Sequence, residues 1–224
     1  MKIVHALGIE GARAATSGAV VVIDVLRAFT VSAFALAGGA RECLLVPTVD
    51  EARALAASIP GAVISAEENT LPIPGIEISN SPTLITRADL KGRTLVQRTS
   101  AGTPVINAVR EELDTFAASL AVARATAQAC LLRSPDTITL VASGDFPEDH
   151  ACARYMRAVI EGRDVDVQQM LAPLYASERY AKFAQGDWPG FPKTDLELSL
   201  AADRFDFSMP ALREDGHVRL TAQR

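Results

Sequence analysis

Short, nearly unbroken apolar runs recur along this chain, each followed by a polar turn and then by residues with helical spacing. Residues 20–23, 43–46, 62–65, 94–97 and 137–142 are the clearest runs. Runs this short and this rich in branched residues read as strands buried on both faces. Helices are predicted over 28–37, closed by Gly38-Gly39, and over 48–58, where Thr48 and Glu51 form a capping box. Further helices are predicted over 103–112, 119–132 and 148–161, and a short strand over 115–118. This alternation predicts a three-layer α/β/α fold around a mostly parallel sheet.

The stretch holding Pro72, Pro74, Gly75 and Pro82 reads as loop. After Gly162 the texture changes. A helix is predicted over 168–184, a loop over 186–192, a short helix over 195–202 and a last strand over 218–221. The expected organisation is a single α/β domain over 1–224, with a core over 1–161 and a helical C-terminal lobe or cap over 162–224.

Composition narrows the function classes. The 224 residues carry 27 acids against 22 bases, a net charge of -5, which argues against a nucleic-acid partner. Cys43, Cys130 and Cys152 are too scattered for a disulfide framework or a zinc site and are expected to pack as small hydrophobes. No signal-peptide pattern opens the chain, and no apolar stretch reaches the roughly 18 residues of a membrane span. A cytoplasmic protein with no membrane partner is expected, and a homodimer stays open.

In open parallel sheets, ligands bind beyond the carboxyl ends of the strands. Three such ends are rich in polar residues: Asp24-Val25-Leu26-Arg27-Ala28-Phe29-Thr30, Arg98-Thr99-Ser100-Ala101-Gly102-Thr103, and Ser143-Gly144-Asp145-Phe146-Pro147-Glu148-Asp149. Asp24, Asp145, Glu148 and Asp149 offer hard oxygens suited to Mg²⁺. Arg27 offers a planar fork for phosphate or sulfonate. The Thr99–Thr103 stretch offers hydroxyls and backbone N–H groups. Together they suggest metal-assisted phosphoryl transfer to water.

Each piece has a plainer reading. Asp24 can be a helix cap, and Arg27 its surface ion-pair partner. The Thr-rich run can be a tight turn, and Glu148 and Asp149 can simply complement a helix dipole. His150 reads as a solvent-facing helix residue, since no second histidine clusters with it. Neither a Gly-x-x-x-x-Gly-Lys-Ser/Thr loop nor a Gly-x-Gly-x-x-Gly turn is present.

These segments, with Ser79-Asn80-Ser81-Pro82 between them and Cys152-Ala153 after them, resemble the 2-phosphosulfolactate phosphatase family. The resemblance spans roughly residues 20 to 155 and includes the Glu67 segment. It implies an α/β, Mg²⁺-dependent phosphatase that converts 2-phospho-3-sulfolactate and water to sulfolactate and phosphate, a step toward coenzyme M. By position, Asp24, Arg27, Glu148 and Asp149 are the implied catalytic candidates, with Asp24, Glu148 and Asp149 also metal candidates. Arg27, Thr30, Asn80, Ser81, Thr99, Ser100, Gly102, Thr103, Ser143 and Gly144 are the implied substrate contacts. The chain departs from the family's pattern at Ala101, where Asn is frequent, and at Asp145, Phe146 and Pro147.

Two other readings stand beside the phosphatase. One is a non-catalytic anion- or metabolite-binding protein on the same fold, favoured by Ala101 and Pro147. The other is a subunit whose tail, with Tyr175, Tyr180 and Trp188, docks a protein partner. The net charge of -5 does not exclude a small phosphorylated acid, because a divalent cation at clustered carboxylates presents positive charge to phosphate.

Overall fold

The computed structural model describes residues 1–186 and 188–224. The order of elements is β1 (Lys2–Leu7), α1 (Gly8–Ala14), β2 (Ala19–Ile23), α2 (Ala28–Ala37), β3 (Glu42–Leu45), α3 (Val49–Ser58), β4 (Val63–Glu68), β5 (Leu71–Pro72), α4 (Pro82–Ile85), β6 (Thr94–Arg98), α5 (Gly102–Ala108) and β7 (Asp114–Ala118). A 3-10 turn (Leu120–Val122) leads into α6 (Ala123–Leu132), β8 (Thr137–Ala142), α7 (Pro147–Ile160), α8 (Val167–Met170), α9 (Ala172–Tyr175), α10 (Glu178–Gln185), α11 (Thr194–Leu200), β9 (Met209–Glu214) and β10 (His217–Leu220).

Among the described residues the strands form one mixed, mostly parallel sheet in the order β1-β8-β2-β7-β9-β10-β3-β6-β4-β5. Side chains alternate across it, as the pleat requires. Val20 and Val22 of β2 join one apolar cluster, with α2, α5 and the sheet's second half. Val21 and Ile23 join another, with α6 and α7. On the second half, Val96 packs with Ala52 of α3. Every residue of β2 is buried, which is why it reads as an unbroken apolar run.

The sheet reverses direction at its middle. β1, β8, β2 and β7 pair in parallel, and so do β3, β6 and β4. The β9–β10 hairpin joins the two sets through antiparallel pairs with β7 and β3. Three successive antiparallel steps leave the second set running opposite to the first. The carboxyl ends of the two sets nevertheless meet around α2. Gln97, near the end of β6, donates to the Ala28 carbonyl at 2.9 Å and receives the Ser32 hydroxyl at 2.6 Å. α2 is buried from Ala28 to Leu36, the pattern of a helix enclosed on all sides.

Several expectations change here. The strands over 1–161 do not complete the sheet, because β9 and β10 sit in its centre. Their turn is Asp215-Gly216, with Glu214 and His217 paired across it and Gly216 at φ +81. Asp-Gly is the dipeptide that a two-residue hairpin favours. Strand β1, absent from the sequence reading, pairs with β8 at the sheet edge. The helix expected over 168–184 is three short ones, α8, α9 and α10, interrupted where Pro173 and the capping Ser177 fall. The helix expected to reach residue 112 stops at Ala108, and its last carbonyls accept from Arg213 of β9 at 2.9 and 3.0 Å. In the predicted loop over 186–192, Asp187 lies outside the described residues. The Thr48–Glu51 capping box forms as expected, and the three cysteines are free and buried.

Candidate active site

The backbone of β2 ends by handing its hydrogen bonds to the next loop. Asp24 N–H donates to the Ala118 carbonyl at 3.0 Å, and Asp24 Oδ1 accepts from the Ala28 N–H at 2.9 Å. This carboxylate therefore does start α2, as a capping aspartate would. Its other oxygen faces Gly102: a Cβ on Gly102 would stand 2.9 Å from Asp24 Oδ2. Only glycine lets the Thr99–Thr103 loop approach so closely. Burial raises the Asp24 pKa to about 6, and the charges of Glu148 and Glu67 push the same way, against the Ala28 and Ser143 hydrogen bonds.

Asp149 lies in the first turn of α7 but points back at β2. Its Oδ1 accepts from the Val25 N–H at 2.8 Å and its Oδ2 from the Ser143 hydroxyl at 2.9 Å. Burial, then the charges of Asp24 and Glu148, hold its proton well above the usual carboxylate range. Glu148 beside it accepts from Arg179 Nε at 2.8 Å through Oε1. Its Oε2 is buried with no hydrogen-bond partner among the described residues. An orphaned buried carboxylate oxygen is costly and calls for a cation or a proton.

Arg27 is no surface ion pair. Its Nη1 donates to Asp195 Oδ2 at 2.7 Å and to the Gly190 carbonyl at 2.6 Å, and its guanidinium lies over the Phe191 ring at 4.2 Å. Burial lowers its pKa, and Asp195 opposes that shift. Asp195 Oδ1 in turn accepts from the Ser81 hydroxyl at 2.8 Å and the Thr83 N–H at 3.0 Å. Its position ties α4, α11 and the loop after β2 together. Asp24 and Arg27 are each 4% exposed, Glu148 0% and Asp149 1%. All four charged catalytic candidates are thus enclosed, and the segment from α9 to α11 supplies part of the cover.

The loop after β6 is held by Glu67, at the end of β4. Glu67 Oε1 accepts from the Ser100 N–H at 2.6 Å, and Oε2 from the Ser100 hydroxyl at 3.2 Å. Thr99 and Thr103 share a hydroxyl contact at 3.0 Å, and Thr103 N–H donates to Thr99 Oγ1 at 3.2 Å.

The structure brings Asp24, Gly102, Ser143, Glu148 and Asp149 into one buried cluster. Other candidates spend their side chains on the fold. Thr30 donates to the Val25 carbonyl at 2.8 Å, Ser81 also caps α4 at 3.3 Å, and Asn80 accepts from Gln97 at 3.2 Å. A Cβ on Gly144 would stand 2.4 Å from the Phe146 ring, so Gly144 serves that packing. His150 pairs with Asp145 at 2.8 Å, outside the cluster. Sequence reasoning missed Asp195 and Arg179. Both lie past residue 162, where no strand end marks a site.

The donor set fits Mg²⁺, which keeps waters and takes only one or two carboxylates beside substrate phosphate. Glu148 Oε2 is the carboxylate oxygen of the cluster that is buried without a hydrogen-bond partner among the described residues. Both Asp149 oxygens are already engaged. Among the described residues no three His, Cys, Asp or Glu side chains form a ready cage. Nor is any helix long and apolar enough to cross a membrane.

A family model described as 2-phosphosulpholactate phosphatase matches residues 8–185. A Bacillus subtilis (strain 168) protein named probable 2-phosphosulfolactate phosphatase is 34% identical over 204 residues, 88% of either chain. A protein of the same name from Carboxydothermus hydrogenoformans is 32% identical over 154 residues, 67% of this chain and 64% of its own. One from Thermoplasma acidophilum is 26% identical over 187 residues, 82% of this chain and 81% of its own.

Proposed function

The chain belongs to the 2-phosphosulpholactate phosphatase family, and from that membership we propose that it hydrolyses 2-phospho-3-sulfolactate to sulfolactate and phosphate with Mg²⁺. The observation that carries the reading is the partnerless buried Glu148 Oε2 beside two carboxyls with raised pKa values. Glu148 would hold the ion through Oε2. An Mg²⁺ held there would offset the carboxylate charge and supply Lewis-acid polarisation to substrate and water.

The side chains divide the proton work. Asp24, which titrates near pH 6, is ionised at pH 8 and accepts a proton from the attacking water at Oδ2. Burial and the charges of Asp24 and Glu148 hold the Asp149 proton well above the usual carboxylate range, and Asp149 supplies it to the departing alcohol oxygen. One P–O bond forms to water and one breaks to the sulfolactate oxygen, so protons and charge balance. Arg27 and the Thr99–Thr103 loop orient the transferring oxygens, and positioning with electrostatics supplies most of the rate.

The test is phosphate release from 2-phospho-3-sulfolactate. Turnover is expected to vanish on chelation and return with Mg²⁺. Glu148→Gln is expected to lower kcat/KM by about 100-fold or more at fixed Mg²⁺. Tight binding of phospho-acids with no phosphate release under any divalent metal would overturn the reading in favour of a binding protein.

A further inference from the structure

We propose that Arg179 sets substrate specificity at this site by gripping the sulfonate, the acid group farthest from the transferred phosphate. The inference rests on the phosphatase reading above.

Two arginines border the carboxylate cluster, and they differ. Arg27 is 3% exposed in its side chain, neutralised by Asp195 and covered by Phe191. Arg179 is 24% exposed, and its Nε alone is engaged, by Glu148. Its two η nitrogens have no hydrogen-bond partner among the described residues. Its guanidinium lies 4.0 Å from the Phe146 ring centre and 5.0 Å from that of Phe183. Contact with both rings fixes the plane of the fork, which lowers the entropy lost when it takes an anion.

Arg179 joins the site through Glu148 with its own side chain 24% exposed, whereas Asp24 and Asp149 are 4% and 1% exposed. Phosphorus must sit among the carboxylates for water to attack it. The remote end of the substrate then lies toward solvent, within the domain of the open fork. In 2-phospho-3-sulfolactate the carboxyl carbon is bonded to the phosphate-bearing carbon, while the sulfonate sulfur lies one bond farther out. The planar fork matches two sulfonate oxygens.

The test compares 2-phospho-3-sulfolactate with 2-phospholactate, which differs by lacking the sulfonate. In Arg179→Gln, the ratio of the two kcat/KM values is expected to fall roughly 10- to 100-fold, carried mainly by KM of the sulfonated substrate. Arg179→Lys, which keeps the charge but not the fork, is expected to recover part of the ratio. It carries the same comparison if the Gln variant does not fold. A purely structural arginine would lower both substrates alike, and an unchanged ratio overturns the proposal. If the wild type releases no phosphate from either substrate, the phosphatase reading fails, and calorimetry decides this inference separately. Sulfolactate affinity is then expected to drop about tenfold or more in Arg179→Gln while lactate binding does not change, and equal affinities in both proteins overturn it.

Discussion

Asp24 and Arg179 reach the same carboxylate cluster from two different kinds of structure. Asp24 is placed by the backbone: β2 is buried along its whole length, and the carboxylate is fixed by an Ala28 N–H within the next turn. Arg179 is placed by side chains: a salt bridge to Glu148 and two aromatic faces hold it on an eight-residue helix. The first region is set by sheet hydrogen bonds and core packing. The second, the arm from α9 to α11, is set by a few charged and aromatic contacts. The groups proposed to react thus sit in the part fixed by sheet and core, and the groups that enclose them sit in the part held by fewer contacts.

The largest effect that could break this contrast is at Asp195. Asp195→Ala removes the partner of buried Arg27 and the acceptor for Ser81 and Thr83. It is expected to destabilise the fold by about 3–5 kcal/mol, since it leaves a buried charge uncompensated. Urea denaturation measures this; a cost under about 1 kcal/mol would mean that the arm is not anchored through Arg27. Next comes Gly102→Ala, whose Cβ would press on Asp24 Oδ2. About a 100-fold loss of kcat/KM is expected from the misplaced base, with a lower Tm as well, because the same Cβ would stand 3.1 Å from buried Ala28 and Phe29. Equal kcat/KM in the two proteins would show that the loop can yield. The smallest effect is expected at His150→Ala, which removes an exposed contact to Asp145. Stability should stay within about 0.5 kcal/mol and kcat/KM should not move.

The same contrast explains what the sequence could disclose. Strands such as Ala19–Ile23 and Thr137–Ala142 declare themselves because burial on both faces demands apolar residues throughout. Asp24 and Asp149 were legible because they follow those runs. Glu67 was named only through the family resemblance, because β4 runs to Glu68, past the apolar stretch that signals it. Arg179 and Asp195 lie on helices whose partners are more than a hundred residues or some thirty residues away in the chain, a pairing that no local pattern encodes. The β9–β10 hairpin carried a local sign in Asp215-Gly216, but its place between the two parallel sets depends on long-range pairing with Phe116, Ala117 and residues 43–45.

Asp24→Asn tests the central claim most directly, because it separates what the buried carboxylate does for chemistry from what it costs the fold. Asp24 titrates at about 6 in the folded chain against 3.8 for the free group. Between those values the folded chain holds a proton that the unfolded chain releases, so stability from this group is lost as pH rises through that window. At pH 8 the ionised carboxylate costs up to about 3 kcal/mol in the metal-free protein. With metal removed, Asp24→Asn is expected to raise Tm at pH 8, with the gain fading toward about pH 4. With Mg²⁺ restored, it is expected to lower kcat/KM by roughly 1,000-fold. Retained turnover, or a lower Tm at pH 8, would contradict the account.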